Sequence, residues 1–452
     1  MIIKREEGAT SLLVVFLLSM VGVIIGVSLV KTGYYESIMG KSINYSAKAY
    51  YAANSGLENA IREIALKPPE FGNPGPDYIN FDLDGVDVKT KVTGDENQKT
   101  IEAIGTYFIN LTKYSRKIEA TIINTSITPD FSDAVYGGFG GVYLDNNTVV
   151  SNLDPAENGN VYSRSFIKGK NNDNNGLLCK NSSSAVYGNA TAVGSIGKWG
   201  DSDKGVCITE NAYAGRLEEC FVAGDAEAQL ISANCEIRGT SNTLVLPPEE
   251  KGIPNIGVDA IASYLASKEQ YDGNCEVGGN PDLDCTNGTG ILGDITINGD
   301  LKIIQNSSLL ISGSILINGN VDIQSNSTIG LVGTSTSRVV ISRGKISSAS
   351  NVTYSSYDNV FIIFISTDDS SGLSCDSGGA AIEVSSNDQS VLFVATKGCI
   401  LVRANQTFRG AIYGEAISLS NNSQVLYNPE LSNLVLNISD DGGWLLVSFK
   451  EY

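Results

Sequence analysis

The chain begins with an apolar run that contains no charged residue. Ala9 to Val30 is uncharged over 22 residues, and Lys4, Arg5 and Lys31 flank it. At about 1.5 Å per helical residue, such a run crosses the roughly 30 Å hydrocarbon core of a bilayer. We therefore expect a transmembrane helix, whose preceding basic residues keep the N-terminus in the cytoplasm.

The helical pattern continues beyond the apolar run in an amphipathic form, until Pro68 and Pro69 end it. The apolar residues at three- and four-residue steps are Tyr50, Ala53, Leu57, Ile61 and Ile64. This spacing is typical of one buried helix face. We predict one long helix, with a transmembrane half at 9–30 and an amphipathic half at 31–67.

The period of the apolar residues changes to two between Ile79 and Ile123. The segments INFDLDGVDVKTKV, TIEAIGTYF and SRKIEATII alternate apolar and polar residues and are separated by turn residues. This alternation is typical of half-buried strands. We predict a small antiparallel sheet at 70–126 that packs on the amphipathic half of the helix.

An internal repeat with a period of 20 residues follows. Residues 293–312 read GDITINGDLKIIQNSSLLIS, and residues 313–332 read GSILINGNVDIQSNSTIGLV. Each repeat is too short to bury its own apolar residues, so neighbouring repeats must stack. We predict a right-handed parallel β-solenoid in preference to an antiparallel sandwich, although Asn-Gly pairs also favour local hairpins.

Weaker echoes of the repeat extend the predicted solenoid on both sides. We expect a first segment at 127–246 and a second segment with a C-terminal coil at 286–452. Between them, a helical and loop insertion at 247–285 carries the apolar positions Val258, Ile261, Tyr264 and Leu265 of one short helix. The predicted fold class is thus α+β, with most of the body in β-strands.

Charge and composition exclude several function classes. The chain has 31 Lys and Arg against 50 Asp and Glu, a formal net charge of −19 that disfavours nucleic acid as a partner. It has no histidine, which removes the usual proton-transfer residue and metal ligand. Carboxylate-only catalysis stays open, yet Asp294, Asp300 and Asp322 do not repeat in register, so we expect no enzyme activity.

The cysteines indicate an oxidising compartment. There are eight of them without a CxxC pair, which favours disulfides over a zinc or redox motif. Bridging between sequence neighbours is the simplest connectivity, although the sequence does not decide it. The cysteines are Cys179, Cys207, Cys220, Cys235, Cys275, Cys285, Cys375 and Cys399.

Candidate ligand sites are weak. Asn171, Asp173 and Asn175 stand where a calcium loop has its first ligands, but Ser182 occupies the place of its bidentate glutamate. We therefore expect a solvated loop, no metal and no cofactor. Asn-X-Ser/Thr triplets occur 13 times and could accept N-glycans in an exported protein, although Asn306 and Asn326 fit strand corners better.

The N-terminal motifs resemble those of type IV prepilins. KREEG followed by ATSLLVVFLL resembles a class III signal, and AYYAANSGLENAIREI is similar to the stretch after the helix in PilX-like minor pilins. The resemblance implies a leader at 1–8, cleavage between Gly8 and Ala9 by prepilin peptidase, and N-methylation of Ala9. Partners would then be the membrane, other pilins and the pilus assembly platform.

One position departs from this family. Major pilins carry a glutamate five residues after the cleavage site, and this chain has Leu13 there. An unpaired charge in an apolar surrounding is costly, so the family pairs that acid inside the fibre. A subunit without it resembles the minor pseudopilin that caps secretion fibres, which favours a fibre tip over the shaft.

The C-terminal sequence carries a second resemblance. AISLSNNSQVLYNPEL and GGWLLVSFKEY are similar to the last coil of β-helical, polymer-forming-type domains behind PilX-like N-termini. This implies a non-catalytic extracellular module for adhesion, with a surface polysaccharide or a host cell as candidate partner. The alternatives are an anchored adhesin or envelope protein that enters no fibre and, more remotely, a carbohydrate-active β-helix enzyme.

Overall fold

A computed structural model describes most of the chain. The chain forms two compact units, unit 1 (Met1–Asn124 and Gly443–Tyr452) and unit 2 (Thr125–Gly442). The described residues are 6–66, 76–94, 98–109, 112–124, 126–127, 129–154, 159–170, 184–198, 205–333, 336–355, 360–369, 375, 379–385, 391–434, 436–437 and 444–452.

The described residues hold two α-helices, α1 (Glu6–Leu66) and α2 (Val258–Ala266), and the 3-10 helices Pro281–Leu283 and Pro429–Asn433. The first strands are β1 (Asp77–Leu83), β2 (Val86–Gly94), β3 (Gln98–Ile109), β4 (Thr112–Asn124), β5 (Ser126–Ile127), β6 (Val135–Leu144), β7 (Val149–Asn152), β8 (Val161–Ser163), β9 (Phe166–Gly169), β10 (Ala185–Val186), β11 (Ala190–Lys198) and β12 (Cys207–Ile208). Next come β13 (Ala212–Leu217), β14 (Phe221–Val222), β15 (Ala226–Ile231), β16 (Glu236–Ile237), β17 (Ser241–Thr243), β18 (Glu269–Tyr271), β19 (Cys275–Val277), β20 (Ile291–Leu292), β21 (Ile295–Ile297), β22 (Leu301–Ile303), β23 (Ser308–Ile311) and β24 (Ile315–Ile317). The last are β25 (Val321–Ile323), β26 (Thr328–Leu331), β27 (Arg338–Ser342), β28 (Ile346–Ser348), β29 (Thr353–Ser355), β30 (Ile362–Ser366), β31 (Ile382–Val384), β32 (Val391–Val402), β33 (Thr407–Leu419), β34 (Gln424–Tyr427), β35 (Leu436–Asn437) and β36 (Trp444–Glu451).

Unit 1 consists of α1 and an antiparallel sheet in the order β1-β2-β3-β4-β36. The segment predicted as one strand, INFDLDGVDVKTKV, is a hairpin of β1 and β2. Asp84 and Gly85 form its turn with φ of 49° and 80°. Two successive positive φ values match the twist of hairpin strands, which is why Asp-Gly is favoured there.

The last turns of α1 lie very close to the sheet because small residues line their contact. Gly105 of β3 lies opposite Ala49 and Ala53 of α1, and a Cβ on Gly105 would come within 2.8 Å of the Ala53 nitrogen. A Cβ on Gly56 would similarly meet Val88 at 2.8 Å. Around this contact the helix buries its predicted face into a shared core that contains Leu57, Ala60, Ile64, Val92, Ile101, Ala103, Ile118, Ala120 and Ile122.

The C-terminal strand differs from the expected last coil of a solenoid. Trp444–Glu451 pairs antiparallel with β4 and belongs to unit 1. Unit 2 is therefore inserted between two neighbouring strands of the unit 1 sheet, with Asn124 and Trp444 as paired residues. The physical reason is that β4 would otherwise present an unpaired edge, and a long alternating strand satisfies its backbone groups.

Unit 2 consists mainly of parallel strands that are stacked in register. The repeat alignment is confirmed: Ile295 pairs with Ile315, and Leu301 pairs with Val321. The antiparallel alternative is wrong for these strands. Because each strand hydrogen-bonds to strands in the neighbouring repeats, aligned apolar side chains form continuous buried columns.

The order of the strands in the stack differs from their order in the chain. β33, late in the chain, pairs in parallel with β6, the first long strand of unit 2. From β6 the strands step to β17 at one end, and from β33 they step back to β18 at the other end. The chain thus enters at the middle of the stack, winds to one end, crosses over, and winds back to the middle.

Residues 244–268, called the crossover here, connect the two ends. The prediction placed the insertion at 247–285, but Glu269–Tyr271 and Cys275–Val277 already pair with β21 and β22. The predicted short helix is confirmed as α2, which buries Ile261, Tyr264 and Leu265.

The crossover packs on an outward-facing column that has one residue from each turn of the stack. The hydroxyl of Tyr162 donates to the Glu249 carbonyl (3.0 Å), and that of Tyr136 donates to the Lys251 carbonyl (2.5 Å). Tyr136 and Leu316 are five strands apart in the stack, which is about 24 Å at about 4.8 Å per strand. The seven residue steps from Lys251 to the start of α2 at Val258 can span roughly this distance when extended. The seven middle residues of the column are at most 2% exposed: Leu316, Ile341, Ile365, Val394, Tyr413, Tyr136 and Tyr162.

Asparagines occupy the corners between strands, as predicted for Asn306 and Asn326. These residues have φ of 63° and 59°, a left-handed conformation that asparagine tolerates well. Asn351 has a φ of 58° one turn further along the stack, and its side-chain amide donates to the Asn326 side-chain oxygen (3.3 Å). Several sequons are therefore corner residues.

Disulfide bonds join cysteines that are neighbours in the sequence. Cys220 bonds to Cys235, Cys275 to Cys285, and Cys375 to Cys399. Cys207 is also disulfide-bonded, whereas Cys179 lies outside the described residues. The pairing of Cys275 with Cys285 confirms the simplest connectivity proposed from the sequence.

A buried carboxyl group lies at the start of unit 2. The Tyr413 hydroxyl accepts from the Asp133 N–H (3.0 Å) and donates to the Asp133 carbonyl (2.9 Å). Burial raises the pKa of the Asp133 side chain from 3.8 to about 6; the charge of Lys251 opposes the shift, and that of Asp130 adds to it. The structure therefore holds this group in its protonated form more readily than the unfolded chain does.

We predict that Gly105→Ala destabilises unit 1. Its methyl group would overlap backbone atoms of Ala49 and Ala53, which cannot rotate away. Overpacking of this kind costs about 2 to 3 kcal/mol. Hydrogen exchange of β2, β3 and β4 should accelerate, whereas the control Gly33→Ala, with open space around its Cβ, should leave it unchanged. Equal protection in both variants would contradict the close contact.

We also predict that unit 2 loses stability as the pH rises through the range from about 4 to about 6. Because the folded-state pKa of Asp133 exceeds the unfolded value, its contribution is complete below pH 4 and absent well above pH 6. A shift of about two pKa units corresponds to about 3 kcal/mol. In calorimetry, Asp133→Asn should reduce this pH dependence, while Asp369→Asn, at an exposed acid elsewhere in unit 2, should keep it.

Candidate functional site

The first half of α1 exposes apolar side chains on every side. The large apolar residues between Val14 and Val30 are 51% to 74% exposed. Among the described residues, α1 is the one helix that is long and apolar enough to cross a membrane, judged by length and composition. Such a surface requires either lipid or other apolar helices around it.

The exposed apolar surface continues further than one bilayer can cover. Tyr35, Met39, Ile43 and Tyr51 are 62% to 68% exposed and follow each other at multiples of four residues, so they form a row of side chains that turns gradually around α1. At 1.5 Å per residue, Tyr35 to Tyr51 covers about 24 Å of helix, all of it beyond the predicted span. We name these four residues the helix stripe. Lipid that covers the span leaves the helix stripe uncovered.

The helix stripe leads into a groove on unit 1 of 390 Å³. The guanidinium of Arg116 on β4 borders this groove and donates from Nε to the hydroxyl of Ser46 (2.7 Å). The groove therefore combines apolar side chains of α1 with the charged groups of Arg116 and Glu451. The lining residues are Ser42, Ile43, Ser46, Ala47, Tyr50, Tyr51, Arg116 and Glu451.

The two units differ strongly in charge. Unit 1 has 15 acidic and 14 basic residues, whereas unit 2 has 35 acidic and 17 basic residues, so unit 2 carries −18 of the net −19. A nearly neutral unit 1 can pack against other copies or similar subunits at little electrostatic cost. The acidic unit 2 repels other acidic surfaces and stays solvated.

The predicted processing site lies on α1. Gly8, Ala9 and Leu13 belong to the helical backbone, which begins at Glu6. Their roles in cleavage, N-methylation and fibre packing stay predictions. The calcium candidates Asn171, Asp173 and Asn175 lie outside the described residues. In the part of the chain that is described, no group of three acidic or cysteine side chains is arranged to hold a metal ion.

The helix stripe was not predicted from the sequence. Its residues stand four apart or eight apart, and this spacing was visible between Tyr35 and Tyr51. The amphipathic interpretation considered only the face that packs on the sheet, namely Leu57, Ile61 and Ile64. Met39 and Ile43 stand 18 residues, or five helical turns, before Leu57 and Ile61. The apolar face thus continues along α1 beyond the sheet, and this continuation is the signal that would have revealed an uncovered contact surface.

Structural neighbours of this chain are found among solved proteins. No protein-family model and no curated protein sequence matches the chain. The competence-associated pilin ComZ from Thermus thermophilus is a structural neighbour with 10% sequence identity, over 90% of this chain and 97% of that one, at a TM-score of 0.27. An ice binding protein from an Antarctic bacterium, Flavobacteriaceae, aligns at 10% identity over 67% and 82%, with a TM-score of 0.17. These low scores do not establish a shared fold.

We predict that the helix stripe contacts protein rather than lipid. The double substitution Met39→Glu and Ile43→Glu should leave the protein in the membrane, because the span at 9–30 is intact, but should abolish its co-assembly with other subunits. Carbonate extraction would measure membrane insertion, and shearing followed by sedimentation would measure assembly. Tyr78→Glu is the control, since Tyr78 is 63% exposed and belongs to β1, not to α1. Normal assembly of the double variant would contradict the prediction.

Proposed function

We propose that this protein is a pilin-like, membrane-inserted subunit of a type IV pilus or related fibre that displays unit 2 outside the cell. One observation carries the proposal: the first half of α1 exposes apolar side chains on every side, whereas its second half packs on an antiparallel sheet. The packing contact is made by Ala49, Ala53 and Gly56 of α1 and by Gly105 of β3. An ordinary single-pass anchor needs only the span. The helix stripe beyond the span gives a reason for contacts with other helices.

In the proposed pathway, prepilin peptidase removes the leader at 1–8, and Ala9 becomes the methylated N-terminus. The apolar helix then leaves the bilayer for the fibre, where neighbouring helices cover Val14 to Val30 and the helix stripe. Leu13 brings no acid into this apolar surrounding, which suits a tip or low-abundance subunit. Unit 2, as an acidic β-solenoid, would then contact a surface, a cell or an envelope polymer.

The proposal assigns no catalytic activity to unit 2. The acids of the repeat already have structural partners: Asp294 accepts from the Tyr264 hydroxyl of α2 (2.7 Å) and from the Ser314 N–H of the next turn (2.8 Å). Asp300 accepts from the Asn320 N–H (2.7 Å), and Asp322 accepts from the Ser347 hydroxyl (3.0 Å). Carboxylates with structural partners of this kind are poorly placed to act as a catalytic pair.

The mature N-terminus tests the proposal. Mass spectrometry of membrane-purified protein should find methylated Ala9 as the first residue, because the peptidase would cut after Gly8. Gly8→Leu should block processing and assembly while the protein still inserts into the membrane. Gly22→Ala provides a matched control, since a Cβ at Gly22 meets no atom within 4 Å and the junction is unchanged.

An intact Met1 in protein from the native host would contradict the fibre role. That outcome, together with normal surface exposure of unit 2, would favour the membrane-anchored adhesin that enters no fibre. The two functions therefore differ in a single measurement on the wild-type chain.

A further inference from the structure

A glycine-rich bulge interrupts β6 and projects one aromatic side chain from unit 2. Gly137 pairs with Gly414 and Gly141 pairs with Ala416, so the three residues Gly138, Phe139 and Gly140 stand opposite Glu415 alone. Phe139 is 56% exposed at the tip. A large apolar ring exposed to this extent gains little from burial, so the stack has no packing reason to present it.

The bulge depends on its glycines. A Cβ on Gly138 would overlap the Glu415 carboxylate, and a Cβ on Gly140 would come within 2.5 Å of the Ala416 side chain. Each glycine in a strand lowers its stability relative to alanine. The chain thus accepts an unfavourable local sequence, GGFGG, in order to hold Phe139 outside the stack.

Neighbouring side chains fix the position of Phe139. Its N–H donates to Oε2 of Glu415 (3.1 Å). The guanidinium carbon of Arg164 lies 3.9 Å from the ring centroid, and Nη2 of the same residue donates to Glu250 of the crossover (2.9 Å). The ring therefore has one face against a cation, while carboxylates of Glu415 and Glu250 lie close by.

A pair of aromatic residues, Tyr143 and Phe166, adjoins the bulge. The Phe166 ring lies over Gly141, where a Cβ would approach it within 2.5 Å, and it meets the Tyr143 ring edge-on with centroids 4.9 Å apart. The ammonium of Lys168 stands 4.6 Å from the Phe166 centroid. We name Phe139, Tyr143, Phe166 and their charged neighbours the aromatic platform.

We propose that the aromatic platform binds a pyranose ring of a neutral polysaccharide, with Phe139 as the stacking residue. The negative face of an aromatic ring attracts the weakly positive C–H groups on the apolar face of a sugar. Sugar hydroxyls also need donors and acceptors at the rim, which Arg164, Glu415 and Glu250 supply. Apolar rings with a few fixed polar groups are typical of small-ligand sites.

Other ligand classes fit less well. A cationic ligand would meet Arg164 and Lys168, which already lie on the aromatic rings. An acidic polymer would be repelled by unit 2, which has 35 acidic and 17 basic residues. The inference names a ligand class for the surface contact and so rests on the proposed display of unit 2, but sugar binding itself requires no fibre.

The experiment measures binding of full-length protein in detergent to immobilised neutral polysaccharides (cellulose, xylan, mannan and dextran) and to two acidic ones (alginate and polygalacturonate). Wild type should bind at least one neutral polymer and neither acidic polymer. Phe139→Ala should weaken that binding about tenfold, and Phe139→Tyr should restore it to within about threefold, because stacking needs only the ring. Leu310→Ala, at a 40% exposed residue of β23, should bind as wild type does.

Three results would overturn the proposal: no binding to any neutral polymer, binding to the acidic polymers alone, or wild-type affinity in Phe139→Ala. Equal loss in Leu310→Ala would also overturn it, since binding would then not depend on the platform. Hydrogen exchange of β6 and β33 would verify that each variant is folded. The mature N-terminus is measured separately, so failure here leaves the fibre role intact, and an uncleaved chain can still bind sugar.

Discussion

The parallel pairing of short strands is the interaction on which unit 2 depends. A strand of three residues such as Ile315–Ile317 has no stability alone, and its backbone groups find partners only in the turns before and after it. Because paired strands are in register, residues of the same kind recur at the same position in successive turns, as Ile295 and Ile315 do. The same requirement explains the asparagine corners and the aspartates that accept backbone N–H groups across turns, such as Asp300 from Asn320.

This stack has a consequence for the path of the chain. Because the first and last turns of unit 2 lie side by side in the middle, the chain must travel back along the outside once. The crossover does this and covers an outward column that would otherwise expose Tyr136, Ile365 and other large apolar residues. The crossover thus becomes part of the core, and α2, at the C-terminal end of the crossover, packs on β24, the strand that contains Leu316.

Unit 1 depends on a different contact, the close approach of α1 to β3 and β2. Small residues make it possible: Ala49, Ala53 and Gly56 on the helix, with Gly105 opposite. The small residues of AYYAANSGLENAI therefore have a direct packing explanation in this chain. The C-terminal half of α1 buries one face against the sheet, and the exposed N-terminal half is left for lipid or for other helices.

The sequence by itself determined the features whose cause is local. These are the long helix, the short helix α2 and the 20-residue register from Ile295 to Ile315, since each follows from periodicity along the chain. Only the tertiary structure decided the pairing of Trp444–Glu451 with β4 and the reversed order of the turns. Those features depend on which edges and faces lack a partner after local folding, and a linear pattern carries no information about distant partners.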